Sequence, residues 1–205
     1  MNGVLVSAIL LLALATVSVR RRSVAIAAVG LQSLLLGAGA LTLVSGRSSG
    51  YLVASAVLAV KGVVAPALLY ALMRQTREPR LVIAAHGPLV RLALTTAAAL
   101  LGAVLTPSLG LADRHVERAA VALLVIGIMI VVLRRPALHQ LLGLLVAENG
   151  LSLLAVSVPG GLSYVVELGA LLDLVLVATV AGAFVHRIHL EFGTGDTEQL
   201  RGLRD

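Results

Sequence analysis

Long apolar runs of about 16 to 24 residues, broken by short polar knots, fill this chain. They fall at about 4–19, 23–45, 51–73, 84–106, 117–133, 138–157 and 162–186. At about 1.5 Å per residue such runs match a bilayer core of about 30 Å. The pattern predicts an all-α, polytopic membrane helix bundle of about seven spans, because in lipid a helix satisfies its own backbone polar groups.

The polar knots alternate in charge. Arg20, Arg21 and Arg22 follow the first run and Arg74, Arg77 and Arg80 the third. Arg134 and Arg135 follow the fifth, and Arg187, Arg201 and Arg204 the seventh. The opposite knots hold only Arg47, Arg114 and Arg118, the last two beside Asp113 and Glu117. Positive charge gathers on the cytoplasmic side, so the expectation is a plasma-membrane protein with its N-terminus outside and its C-terminus cytoplasmic. The first run has the length of a signal peptide. Its positive cluster follows the apolar stretch, however, and no small-residue cleavage site comes after it; we read it as a retained first span.

An offset of about 113 residues aligns Arg21-Arg22 with Arg134-Arg135, Gly30-Leu31 with Gly143-Leu144, Gly37 with Gly150 and Arg74 with Arg187. Two parallel three-span units joined by one extra crossing, a 3+1+3 plan, account for these matches and for the odd number of spans. Residues 1–80 form the first unit and 81–116 the connecting span and outer loop. Residues 117–190 form the second unit, and 191–205 a polar tail.

Composition agrees with the pattern. A hydrophobic share of 59% and a mean hydropathy of +1.04 exclude an ordinary soluble domain. The absence of cysteine excludes disulfides, thiolate-held zinc and iron–sulfur clusters. No nucleotide-binding loop appears, so no cofactor and no metal is expected. The net charge of +6 sits between apolar runs, with only 2% aromatic residues to stack bases, so nucleic acid is not an expected partner.

The candidate chemistry lies in charges where hydrocarbon should surround them. Glu148 and Asp173 each stand about ten residues into a run, near mid-membrane, and Glu167 lies closer to the Pro159-Gly160-Gly161 turn. Charges there cost at least a few kcal/mol each and mark ion or proton handling. Burial drives a carboxyl toward its neutral form and a nearby cation opposes this, so such an acid can exchange a proton when its partner moves. The bland reading is an acid hydrogen-bonded to backbone or to Asn149 that only holds helices together. Glu167 and Asp173 are separated by roughly 240° around a helix and so are not expected to share one face. Lys61, the only lysine, stands mid-span, too deep to snorkel. It is either a static counter-ion to Asp173 or Glu148, or a relay member. His86, His139, His186 and His189 fall at cytoplasmic ends, as interfacial residues or as a proton entrance. Pro66 follows Lys61 and removes a helix hydrogen bond, whereas Pro88 falls in a first turn, where proline is tolerated. Gly37, Gly39, Gly127, Gly150 and Gly169 permit close helix packing.

The stretches GLLVAENGLSLLAV (143–156), VELGALLDLVLV (166–177) and VHRIHLEFGTGDTEQLRGLRD (185–205) resemble the C-terminal half of the hydrogenase-4 component E family. That family is similar to complex I subunit K (the ND4L type) and to the corresponding small membrane component of the Mrp cation antiporters. The subunit-K resemblance covers about residues 117–187. It implies a non-catalytic membrane-arm subunit of a multi-subunit oxidoreductase, without a redox centre of its own. Antiporter-like membrane subunits and hydrogenase-like subunits are the partners it implies. It also implies a buried acid in the middle and last spans of the unit. Glu148 takes the first role, and Asp173 or Glu167 the second. Gln32 stands in the first unit instead of an acid.

Overall fold

The computed structural model describes residues 2–19, 21–42, 49–75, 87–108, 110, 113–134 and 137–158. They form six helices: α1 (Gly3–Ser18), α2 (Arg22–Thr42), α3 (Ser49–Gln75), α4 (Pro88–Leu105), α5 (Arg114–Leu133) and α6 (Ala137–Ser157). The seventh run, with Glu167, Asp173, His186 and His189, lies outside the described residues, as does His86. Five helices, α2 to α6, are long and apolar enough to cross a membrane; α1 is apolar but shorter, with 16 residues.

Local chemistry sets the ends. Asn2 caps α1, its side-chain oxygen accepting from Val4 N at 3.1 Å. Pro88 opens α4 at the first helical position, where a missing N–H costs nothing. The helix accordingly starts several residues later than the apolar run that predicted it. α5 starts earlier than expected: Asp113 caps it by accepting from His115 N at 2.9 Å, so Arg114 to Glu117 are helical.

Two antiparallel pairs dominate the packing, α2 with α3 and α5 with α6. α6 leans on α2 and touches α3 lightly; α4 lies along α5, and α1 closes the bundle against α2, α4 and α5. The pairs are tight because glycines meet backbone. A Cβ at Gly143 would stand 2.8 Å from the carbonyl oxygen of Gly127, and one at Gly150 2.8 Å from that of Ala120. In the other pair a Cβ at Gly30 would stand 2.8 Å from the Gly62 carbonyl. Pro66 denies that carbonyl its usual helical donor, and its ring presses on Gly30. Without water between helices, such close approach is what holds membrane helices together.

The glycines matched at the 113-residue offset all stand at close helix contacts among the described residues. Gly30 and Gly37 have their nearest neighbours on α3, the helix that follows, whereas Gly143 and Gly150 have theirs on α5, the helix that precedes. A glycine records that some backbone comes close, not which one. Large apolar side chains such as Leu11, Val60, Leu89, Leu101, Val104 and Val132 point outward, more than half exposed, a surface suited to lipid.

Candidate functional site

At mid-height, α2, α3 and α6 bring together Gln32, Ser33, Lys61, Glu148 and Asn149, all buried, next to the Ile9 carbonyl of α1. Lys61 from α3 meets Glu148 from α6, with Nζ and Oε1 2.7 Å apart. Both side chains are buried, 4% and 9% exposed. Each stands at least nine residues from either end of its helix, about 13 Å or more along the axis. Among the described residues, these are two of the candidate relay residues, and the structure joins them.

One residue further along α6, Asn149 faces α2. Its Nδ2 donates to Gln32 Oε1 at 3.1 Å, and Gln32 Nε2 donates to the Ile9 carbonyl of α1 at 3.1 Å. The Ser33 hydroxyl lies 3.1 Å from Asn149 Oδ1 and 3.3 Å from the Val29 carbonyl; with one proton it serves one acceptor at a time. The Ile9 carbonyl can only accept, and that fixes the orientation of both amides. The chain runs one way, from Ser33 through Asn149 and Gln32 to Ile9. An amide holds its protons, so this chain fastens α1, α2 and α6 and is not itself a path for proton exchange. Asn149 is thus bound to neighbours on α2.

Below the pair a crevice lined by Ser33, Lys61, Val29, Pro66, Leu69 and Leu142 leads toward the end of the bundle where α2 and α6 begin. It has no room for a water molecule. At that end Arg91, Arg134 and His139 are buried, each no more than 8% exposed. Arg134 donates through one terminal nitrogen to the carbonyls of Val17 at 2.8 Å and Val19 at 2.7 Å, tying the end of α1 to the end of α5. Burial first, then the Arg91 charge, lower the Arg134 pKa to about 10, so it remains a cation at neutral pH. Arg22, Arg91 and Arg134 all lie within electrostatic reach of His139. About 13 Å of helix separates His139 from Glu148. Sequence reasoning passed over Arg91, although a charge seven residues inside an apolar run was its signal, and it took Glu117 for a loop residue. Glu117 is 1% exposed and paired with Arg114 at 2.8 Å, while Arg114 also holds the carbonyls of Thr106 and Pro107. Among the described residues no three acids or histidines cluster as metal ligands.

A bundle of long apolar helices with a lysine–glutamate pair in its interior suggests a helical membrane protein. The chain is 33% identical over 156 residues to "Uncharacterized protein Rv0085" of Mycobacterium tuberculosis, covering 73% of this chain and 70% of that one; it belongs to that protein's family. No family model matches the chain, and no solved structure does.

Proposed function

We propose that this protein is a membrane-arm subunit of a hydrogenase-4-like or complex-I-like oxidoreductase, and that its buried charges take part in moving protons or sodium ions driven by electron transfer elsewhere in the complex. The observation that carries this reading is the Lys61–Glu148 pair. Two opposite charges 2.7 Å apart inside an apolar bundle cost more to bury than packed leucines would, so a purely structural bundle has no use for them. In the proposed cycle, the Lys61 ammonium swings toward a second acid, Asp173 or Glu167. The Glu148 carboxylate, left without its cation in a poor solvent for charge, takes up a proton or cation. Return of Lys61 releases it. In this reading the buried His139, with Arg91 and Arg134, stands at the entry side.

The reading includes a seventh span from the second unit, completing the 3+1+3 plan, and a cytoplasmic C-terminus. It also includes hydrogenase-like and antiporter-like subunits as partners. A second reading, a scaffold without an ion path, is favoured by one observation: the crevice below Lys61 admits no water. A native pull-down from the host membrane tests the proposal. Co-purification of antiporter-like and hydrogenase-like subunits supports it; isolation of the chain alone, under conditions that keep membrane complexes intact, contradicts it.

A further inference from the structure

A groove of about 550 Å³ runs between α1 and α4 over the surface of α5, on the side of the bundle away from Lys61. Its floor and walls are apolar, with Leu10 and Leu14 from α1, Ala99 and Ala103 from α4, and Ala122 and Ile126 from α5. Small side chains from two of the three helices leave the space. From Val116 to Ile126 the groove follows α5 for ten residues, about 15 Å, half the thickness of a bilayer core. It thus begins at a helix end, at the depth of lipid headgroups, and stops near mid-membrane.

The mouth is polar and basic. Arg118 and His115, both exposed, stand on the first turns of α5, and Asp113 lies beside them. Asp113 is turned toward its own helix, where it accepts from His115 N, and the acid nearest Arg118, Glu117, is held by Arg114. The charge offered to the groove is therefore that of Arg118, with the His115 ring next to it. About one turn below the end of α1, Ser7 brings a hydroxyl to the wall.

We propose that this groove binds one glycerophospholipid: the phosphodiester against Arg118 and His115, an ester carbonyl accepting from the Ser7 hydroxyl, and one acyl chain laid along Leu10, Leu14 and Ile126. The order of chemistry along the groove is that of the lipid itself, anion, ester, then hydrocarbon, and each falls at the depth where a bilayer holds it. A charged, forked guanidinium suits a phosphate better than it suits the apolar face of another helix. The site does not depend on which side of the membrane this end faces.

The test uses the full chain, delipidated in a mild detergent and titrated under native mass spectrometry with three probes. These are phosphatidylglycerol, diacylglycerol with the same chains, and inorganic phosphate. The expected result is one phosphatidylglycerol retained per chain, at least about tenfold weaker retention of diacylglycerol, and no retention of phosphate alone. Arg118→Gln should weaken phosphatidylglycerol about tenfold and leave diacylglycerol unchanged, while Ala103→Trp, which fills the groove, should remove both. Thr96, on the α4 wall of the same groove, offers a second block as Thr96→Phe should the Trp variant fail to fold. Equal retention of phosphatidylglycerol and diacylglycerol overturns the headgroup contact. Lipid binding undiminished in a folded groove-filling variant overturns the site, as does a dimer mass in place of the lipid adduct.

Discussion

Replacing Lys61 by Met removes the cation from a carboxylate that has nowhere to go. At 2.7 Å and an effective dielectric of about 20, the gross attraction in the pair is about 6 kcal/mol. Most of this is offset by the cost of taking both charges out of water, so the pair as a whole adds little. Breaking it from one side is different, because the surviving charge keeps its desolvation cost and loses its partner, a loss of about 3 to 5 kcal/mol. Glu148→Gln should cost less, about 1.5 to 3 kcal/mol, since the amide oxygen still accepts a hydrogen bond from the ammonium. The double variant Lys61→Met with Glu148→Gln leaves no buried charge and should fall within about 2 kcal/mol of the wild type. The coupling energy is then at least about 2.5 kcal/mol, read from reversible unfolding of the four proteins in mixed micelles. Additivity to within about 0.5 kcal/mol would refute the reasoning, because it would mean that the two side chains do not see each other in the membrane-embedded protein.

The remaining predictions are shorter. Asn149→Leu should lower stability by about 0.6 to 1.7 kcal/mol, the range of interhelical hydrogen bonds in membranes; adding Gln32→Leu, which removes the group left unsatisfied, should recover part of it in the same unfolding assay. Gly127→Val should separate α5 from α6, since its side chain would meet the backbone of Ala147 and Gly143. A loss of about 1 to 3 kcal/mol or more, measured against the exposed control Ile128→Val, is expected. Tags placed before Met1 and after Asp205 should report opposite sides of the membrane, with the C-terminal tag cytoplasmic; tags on one side would remove the seven-span reading.

Much of the bundle was legible in the sequence because a membrane helix announces itself by length and apolarity alone. The six described helices fall within a few residues of their runs. The differences arise where polar chemistry extends or trims a run, as with Asp113 capping α5 early and Pro88 starting α4 late. Burial at mid-depth was legible for Lys61 and Glu148, because neither can reach an interface from there. What the sequence withheld was partnership. Nothing in the spacing of Gln32 and Asn149 shows that they face each other across α2 and α6, and adjacency along the chain offers Asn149 as a neighbour for Glu148 instead. Glu117 looks like a boundary residue because charge at the end of an apolar run reads as solvated, and only packing shows that it is buried.

The most direct test of the account is ion movement through Glu148. Gln keeps the size of the side chain and its hydrogen bond to Lys61 but cannot gain or lose a proton, whereas Leu144→Ala on the same helix alters packing alone. In vesicles carrying each variant, proton or sodium uptake driven by electron transfer is measured and normalised to assembled complex. The account predicts that Glu148→Gln assembles and loses most of its coupled uptake, with Leu144→Ala close to wild type. Wild-type uptake in an assembled Glu148→Gln complex would contradict it, leaving Lys61 and Glu148 as a fastening between α3 and α6.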